Sequence, residues 1–193
     1  TYVGEVTNHD TSSVTLAILK GVLEPKVGEN VNYVNASLIA AERGIKVVEA
    51  KASRMDEFAN LLSVDVRSDP STSLGIVPSQ RSASRDDGQT LTLQGTLSAR
   101  REPRIVKIDR YFVEASPEGH LLIIKNEDKP GLIGQLGTLL GEAKINIAGM
   151  TNGREKPGGA AITVVSIDNP VPPKVLEQVK KLRHVLDAKV ITL

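Results

Sequence analysis

The sequence predicts an α+β chain in two parts, and three observations lead there. Two helical apolar patterns come first, set between short strand-like runs. Two clean apolar/polar alternations follow, LSVDVRS at 62–68 and QTLTLQGTLS at 89–98. From residue 120 the signals then run strand, helix, strand, strand, helix, strand. That last order, βαββαβ, is the ferredoxin-like arrangement. The turn formers of SPEGH, 116–120, place the boundary near residue 117 and divide the chain into 1–117 and 118–193.

Taken in order, residues 2–7 read as a strand, and Thr11, Ser12 or Ser13 can cap the helix after it. That helix, about 12–23, carries Val14, Leu16, Ala17, Leu19, Val22 and Leu23, and Pro25 is expected to end it. A second helix, about 31–43, stops at Gly44 in a left-handed position. Strands are expected at 46–51 and 61–67. The stretch 68–88 is rich in Ser, Pro, Asp and Gly without a period and reads as an exposed loop. After the strand at 89–98, RIVKID and YFVEA flank a tight turn at Asp109-Arg110 and predict a hairpin. The second part has strands at 120–126, 145–154, 159–168 and 186–192, with helices at about 129–143 and 172–183. Pro157-Gly158-Gly159 turns its middle hairpin, and Pro172-Pro173 suits a first helical turn.

Composition excludes several classes of function. Aromatics are 3% with no Trp, which argues against stacking platforms for single-stranded nucleic acid. A net charge of +1 argues against a broad polyanion-binding surface. No Cys is present, so disulfides, thiol nucleophiles and cysteine-held metal centres are ruled out. His9, His120 and His184 lie far apart in sequence and predict no metal site. No apolar run approaches the about 20 residues of a membrane span. The chain starts with Thr1 in what reads as mid-strand, so a piece of a longer protein is expected.

NEDKPGLIGQLGTLLGEAKINIAGM, 126–150, holds the chemistry. Its helix carries Gly134, Gly137 and Gly141, each costing about 1 kcal/mol relative to Ala in a helix interior. Leu132, Ile133, Leu136, Leu139, Leu140 and Ala143 form a stripe expected to face the sheet. The glycines form a second, bare stripe. Either it packs closely inside the chain or a second copy approaches there. Asp128 is an expected N-cap ahead of Lys129-Pro130-Gly131, with free helix N–H groups suited to a carboxylate. Asn126 and Asp128 offer acceptors and donors to an ammonium or hydroxyl, and Asn146 is expected to begin the next strand close by.

DKPGLIGQLGTLLGEAKINIAGM resembles the signature of ACT domains, small amino-acid-binding regulatory modules, in the version found at the C-terminus of D-3-phosphoglycerate dehydrogenases. TLAILKGVLEP, VGENVNYVNASLIAAERGIKVVEAKAS and EPRIVKID resemble the intervening domain of that family's longer members. The resemblance covers nearly the whole chain except 68–88. It implies a cytoplasmic effector-binding and oligomerisation region that takes L-serine between two ACT domains. The implied contacts are the side chains of Asn126, Asp128 and Asn146 and the backbone N–H groups of Gly131 and Leu132. The family's nicotinamide fingerprint and its catalytic Arg, Glu and His have no counterpart here. The chain is therefore expected to hold no catalytic residue and no cofactor, with NAD bound by the absent catalytic domains. Arg104 and Lys107, in the cation-rich SARREPRIVKIDR, are candidates for an anion site, Arg104 first for its bidentate fork. Two alternatives stand beside this: an oligomerisation module without effector, and a relative of iron–sulfur L-serine dehydratases, whose cluster needs Cys.

Overall fold

The computed structural model describes residues 1–28, 30–52, 58–67 and 90–193. The expected loop at 68–88 lies outside the described residues. The chain forms two compact units, 1–62 and 63–193.

In the first unit, β1 (Tyr2–Gly4) pairs in parallel with β2 (Lys51–Ala52) and antiparallel with the start of β3 (Asn60–Arg67). Helices α1 (Ser12–Val27) and α2 (Ala36–Glu42) bury Leu19, Leu23, Val31, Ala36 and Ala40 together. The buried Tyr2 hydroxyl meets Thr15 Oγ1 at 2.7 Å and donates to the Thr11 carbonyl at 3.3 Å. None of the three expected residues caps α1 through its side chain. Asp10 accepts from the Ser12 N–H at 3.0 Å instead, and the Ser12 hydroxyl and N–H hold its carboxyl below the ordinary value.

The strand expected at 2–7 ends at Gly4, and Glu5–Asn8 form a 3-10 turn. Pro25 lies inside α1, in its last turn, where a proline forfeits only one ladder bond before Gly28 closes the helix onto the Glu24 carbonyl at 2.9 Å. The second helix begins at Ala36, not 31, because Asn32 and Asn35 cap each other's backbone: Asn32 N–H donates to Asn35 Oδ1 at 2.8 Å, and Asn35 N–H to Asn32 Oδ1 at 3.0 Å. Of the strand expected at 46–51, only Lys51 joins the pairing, with Ala52. Gly44 does end the second helix, at φ 69°.

The second unit stacks three layers. The end of β3, then β4 (Thr90–Leu97), β5 (Pro103–Ile108) and β6 (Tyr111–Ala115) are neighbours in that order. A second, fully antiparallel sheet comprises β7 (His120–Glu127), β8 (Ile147–Arg154), β9 (Ala160–Ile167) and β10 (Val185–Thr192), ordered β10-β7-β9-β8. With α3 (Leu132–Glu142) and α4 (Pro173–Lys180) it completes the ferredoxin-like βαββαβ fold. Leu122, Ile124 and Val165 face the helices and pack on Leu136, Leu140, Val175 and Val179. Their neighbours Leu121, Ile162 and Val164 face the other way, onto Ile108, Tyr111, Val113 and Ala115. A sheet covered on both faces needs near-continuous apolar strands, which explains LLII and AAITVV. Each such Leu, Ile or Val contributes roughly 1.5–3 kcal/mol by burial.

β6 crosses β8 at Gly153, where a Cβ would lie 2.3 Å from the Phe112 carbonyl oxygen. Only glycine permits that approach.

Candidate functional site at the start of helix α3

β7 delivers Asn126, Glu127 and Asp128 to the head of α3. Asp128 does not cap the helix. The N-cap position is Gly131, at φ 93°, where any side chain would be strained. Asp128 turns to the β8–β9 hairpin instead. Its N–H donates to the Gly159 carbonyl at 2.7 Å, and its Oδ2 accepts from the Gly158 N–H at 3.0 Å and Arg154 Nη1 at 2.7 Å. The Gly158 N–H and the Arg154 guanidinium hold the Asp128 carboxyl below the ordinary carboxylate value. The helix start is left uncapped. The first ladder bond runs from Gln135 N–H to the Gly131 carbonyl at 3.0 Å, and the N–H groups of Gly131 and Leu132 have no partner among the described residues. Such a terminus attracts an anion.

Asn126 is 2% exposed and built into the sheet. Its Oδ1 lies 3.0 Å from Thr163 Oγ1, which lies 3.0 Å from Asn152 Oδ1, and its Nδ2 donates to the Glu127 carbonyl. The Thr163 hydroxyl has one proton for two amide oxygens, so one of these amides must present its NH2 to it. The result is a polar row across β7, β9 and β8. Buried and engaged in this way, the Asn126 side chain is not presented to a ligand in the single chain, contrary to the expected direct contact. Thr163, Asn152 and Arg154 are residues that sequence reasoning missed; a lone buried threonine in the apolar strand AAITVVSI was the available signal.

Asn146 is not close by in the same chain. It is exposed, and its Nδ2 donates to Asp168 Oδ2 at 2.7 Å. The next residue, Ile147, pairs with Ile167, whereas Asn126 and Arg154 pair with Ala161 at the other end of β9. At about 3.3 Å per residue those ends are roughly 20 Å apart.

The glycine stripe is open. Among the described residues, a Cβ at Gly134, Gly137 or Gly141 would meet nothing within 4 Å, so none of them packs closely on the stripe. Ile133, expected to face the sheet, is 57% exposed, one helical turn from Gly137.

The proposed anion residues are engaged elsewhere. Arg104 Nη2 pairs with Glu102 at 2.6 Å, and Lys107 Nζ sits 5.3 Å over the Phe112 ring. His184 Nδ1 meets Glu127 at 3.0 Å, and His120 Nδ1 meets Thr192 Oγ1 at 3.0 Å. Among the described residues no cluster of His, Asp and Glu could hold a metal ion, and no helix is long and apolar enough to cross a membrane.

Residues 1–77 match the family described as the D-3-phosphoglycerate dehydrogenase intervening domain, and residues 120–184 match the ACT domain. D-3-phosphoglycerate dehydrogenase of Archaeoglobus fulgidus is 39% identical over 98% of this chain and 33% of its own length. Those of Methanocaldococcus jannaschii and Bacillus subtilis are each 34% identical over 100% of this chain and 33% of their own. The chain thus spans about a third of the length of the curated relatives it matches. It joins a D-3-phosphoglycerate dehydrogenase intervening domain to an ACT domain and corresponds to the C-terminal regulatory region of these D-3-phosphoglycerate dehydrogenases.

Proposed function

We propose that this region binds L-serine at a seam between two ACT domains and thereby regulates a cytoplasmic parent enzyme that moves hydride from 3-phosphoglycerate to NAD. One observation carries the reading. Asp128 and Asn146 stand at opposite ends of one sheet, so they meet at a ligand only if Asn146 comes from a second copy. The open stripe of Gly134, Gly137 and Gly141 gives that copy room to approach. The serine carboxylate lies on the N–H groups of Gly131 and Leu132, and its ammonium meets Asp128. Each such contact, made to a charged group, is worth about 1.5–3 kcal/mol. Two or three of them supply the ~1–3 kcal/mol of a typical allosteric coupling. The division of the chain at residue 117 into intervening and ACT domains belongs to the same proposal.

A second reading, assembly without an effector, draws on the Asp128 carboxylate already holding Arg154 and Gly158. Calorimetric titration with L-serine separates the two. The effector reading expects saturable binding that Asp128→Ala weakens about tenfold or more; absence of binding heat in the assembled protein leaves only assembly.

A further inference from the structure

Arg154 is used on one side only. Nη1 donates to Asp128 Oδ2 at 2.7 Å, and the rest of the half-exposed guanidinium has no partner among the described residues. Asp128 mirrors it: Oδ2 takes both Arg154 and the Gly158 N–H, and Oδ1 takes nothing among the described residues. A carboxylate and a guanidinium are therefore fixed side by side, each with an open hydrogen-bonding edge. The neighbouring acids point elsewhere: Glu127 meets His184 at 3.0 Å, and Glu155 meets Arg110 at 3.4 Å. Asp128 is left as the acid for a cation, and Arg154 as the matching donor for an anion.

We propose that Arg154 reads the carboxylate of the amino-acid effector, so that the Asp128–Arg154 pair selects zwitterions over amines that lack a carboxylate. The inference rests on the effector reading above and deepens it. One carboxylate oxygen goes to the N–H groups at the head of α3 and the other to the free edge of Arg154. For a zwitterion, the attraction of Arg154 for the carboxylate offsets its repulsion of the ammonium; for a bare amine only the repulsion remains. Arginine suits the task because its fork serves Asp128 and a ligand at once, whereas an ammonium is a point charge.

The test compares L-serine with ethanolamine, which keeps the hydroxyl and ammonium and lacks the carboxylate. Both are titrated into the assembled chain carrying Arg154, Arg154→Gln or Arg154→Lys, with ethanolamine read by competition. Arg154→Gln is expected to weaken serine about tenfold or more while ethanolamine holds or tightens, and Arg154→Lys to restore part of the preference. If both ligands weaken in step, Arg154 only holds the hairpin and the inference is overturned. It also falls alone if Asp128→Ala abolishes serine binding and Arg154→Gln leaves the serine-to-ethanolamine ratio intact. If the unaltered chain takes up no serine, the effector reading falls and this inference with it.

Discussion

Replacing Gly137 and Gly141 by alanine separates two properties that usually move together. Both lie on α3, one turn apart, and a Cβ on either meets nothing within 4 Å among the described residues. Alanine gains about 1 kcal/mol at Gly137 in the middle of the helix and less at Gly141 in its last turn, about 1.5 kcal/mol together. For a unit of this size that raises Tm by roughly 5–8 °C, measured in dilute solution where association does not contribute. At a close-packed seam the same two methyl groups have to displace the facing helix, and overpacking of that kind costs about 1–3 kcal/mol. The double variant should therefore be more stable as a single chain and about tenfold or more weaker in self-association. Circular dichroism melts of dilute protein and sedimentation equilibrium read the two quantities separately. If association is unchanged while Tm rises, α3 is not at the seam, and the reasoning from the glycine stripe is refuted.

Gly153→Ala should destabilise the second unit by about 2–3 kcal/mol, because its Cβ would lie 2.3 Å from the Phe112 carbonyl oxygen and 3.0 Å from Tyr111 Cβ, and β6 has to move away; urea unfolding at neutral pH checks it. The Asp128 carboxyl titrates below its ordinary value of 3.8, so its contribution to stability is present above that value and is lost as pH falls through the lowered one. Asp128→Asn should accordingly flatten the acid limb of stability below that value, and an unchanged limb would dissociate Asp128 from Arg154 and Gly158.

Much of the second unit could be read from residues alone, because its apolar periods are long and its turns carry the right chemistry. Leu132, Leu136 and Leu140 fall at helical spacing, and Pro157-Gly158-Gly159 marks the hairpin. The first unit was less legible, for physical reasons. Val34 reads as part of a helical stripe yet stays exposed, since the Asn32–Asn35 caps start the helix after it. Proline in a last turn does not break a helix, so Pro25 misled. At the site, Asp128 ahead of Lys-Pro-Gly has the form of an N-cap, and local pattern carries no sign of a hairpin partner 26 residues away in Arg154. Asn146 follows the helix closely in sequence, and only the strand register shows that it lies at the far end of the sheet.

A serine site shared by two chains can be tested by subunit mixing. Asp128→Ala and Asn146→Ala each remove one half of every site in their own assemblies. When the two weakened variants are mixed, unfolded and reassembled, a mixed dimer pairs the intact Asp128 of one chain with the intact Asn146 of the other. Random pairing in a two-fold assembly then returns about a quarter of the sites. Calorimetry is expected to show L-serine binding restored at that fraction with the affinity of the unaltered protein; a mixture that binds as weakly as its components, with mixed dimers demonstrated by mass spectrometry, would rule out a shared site.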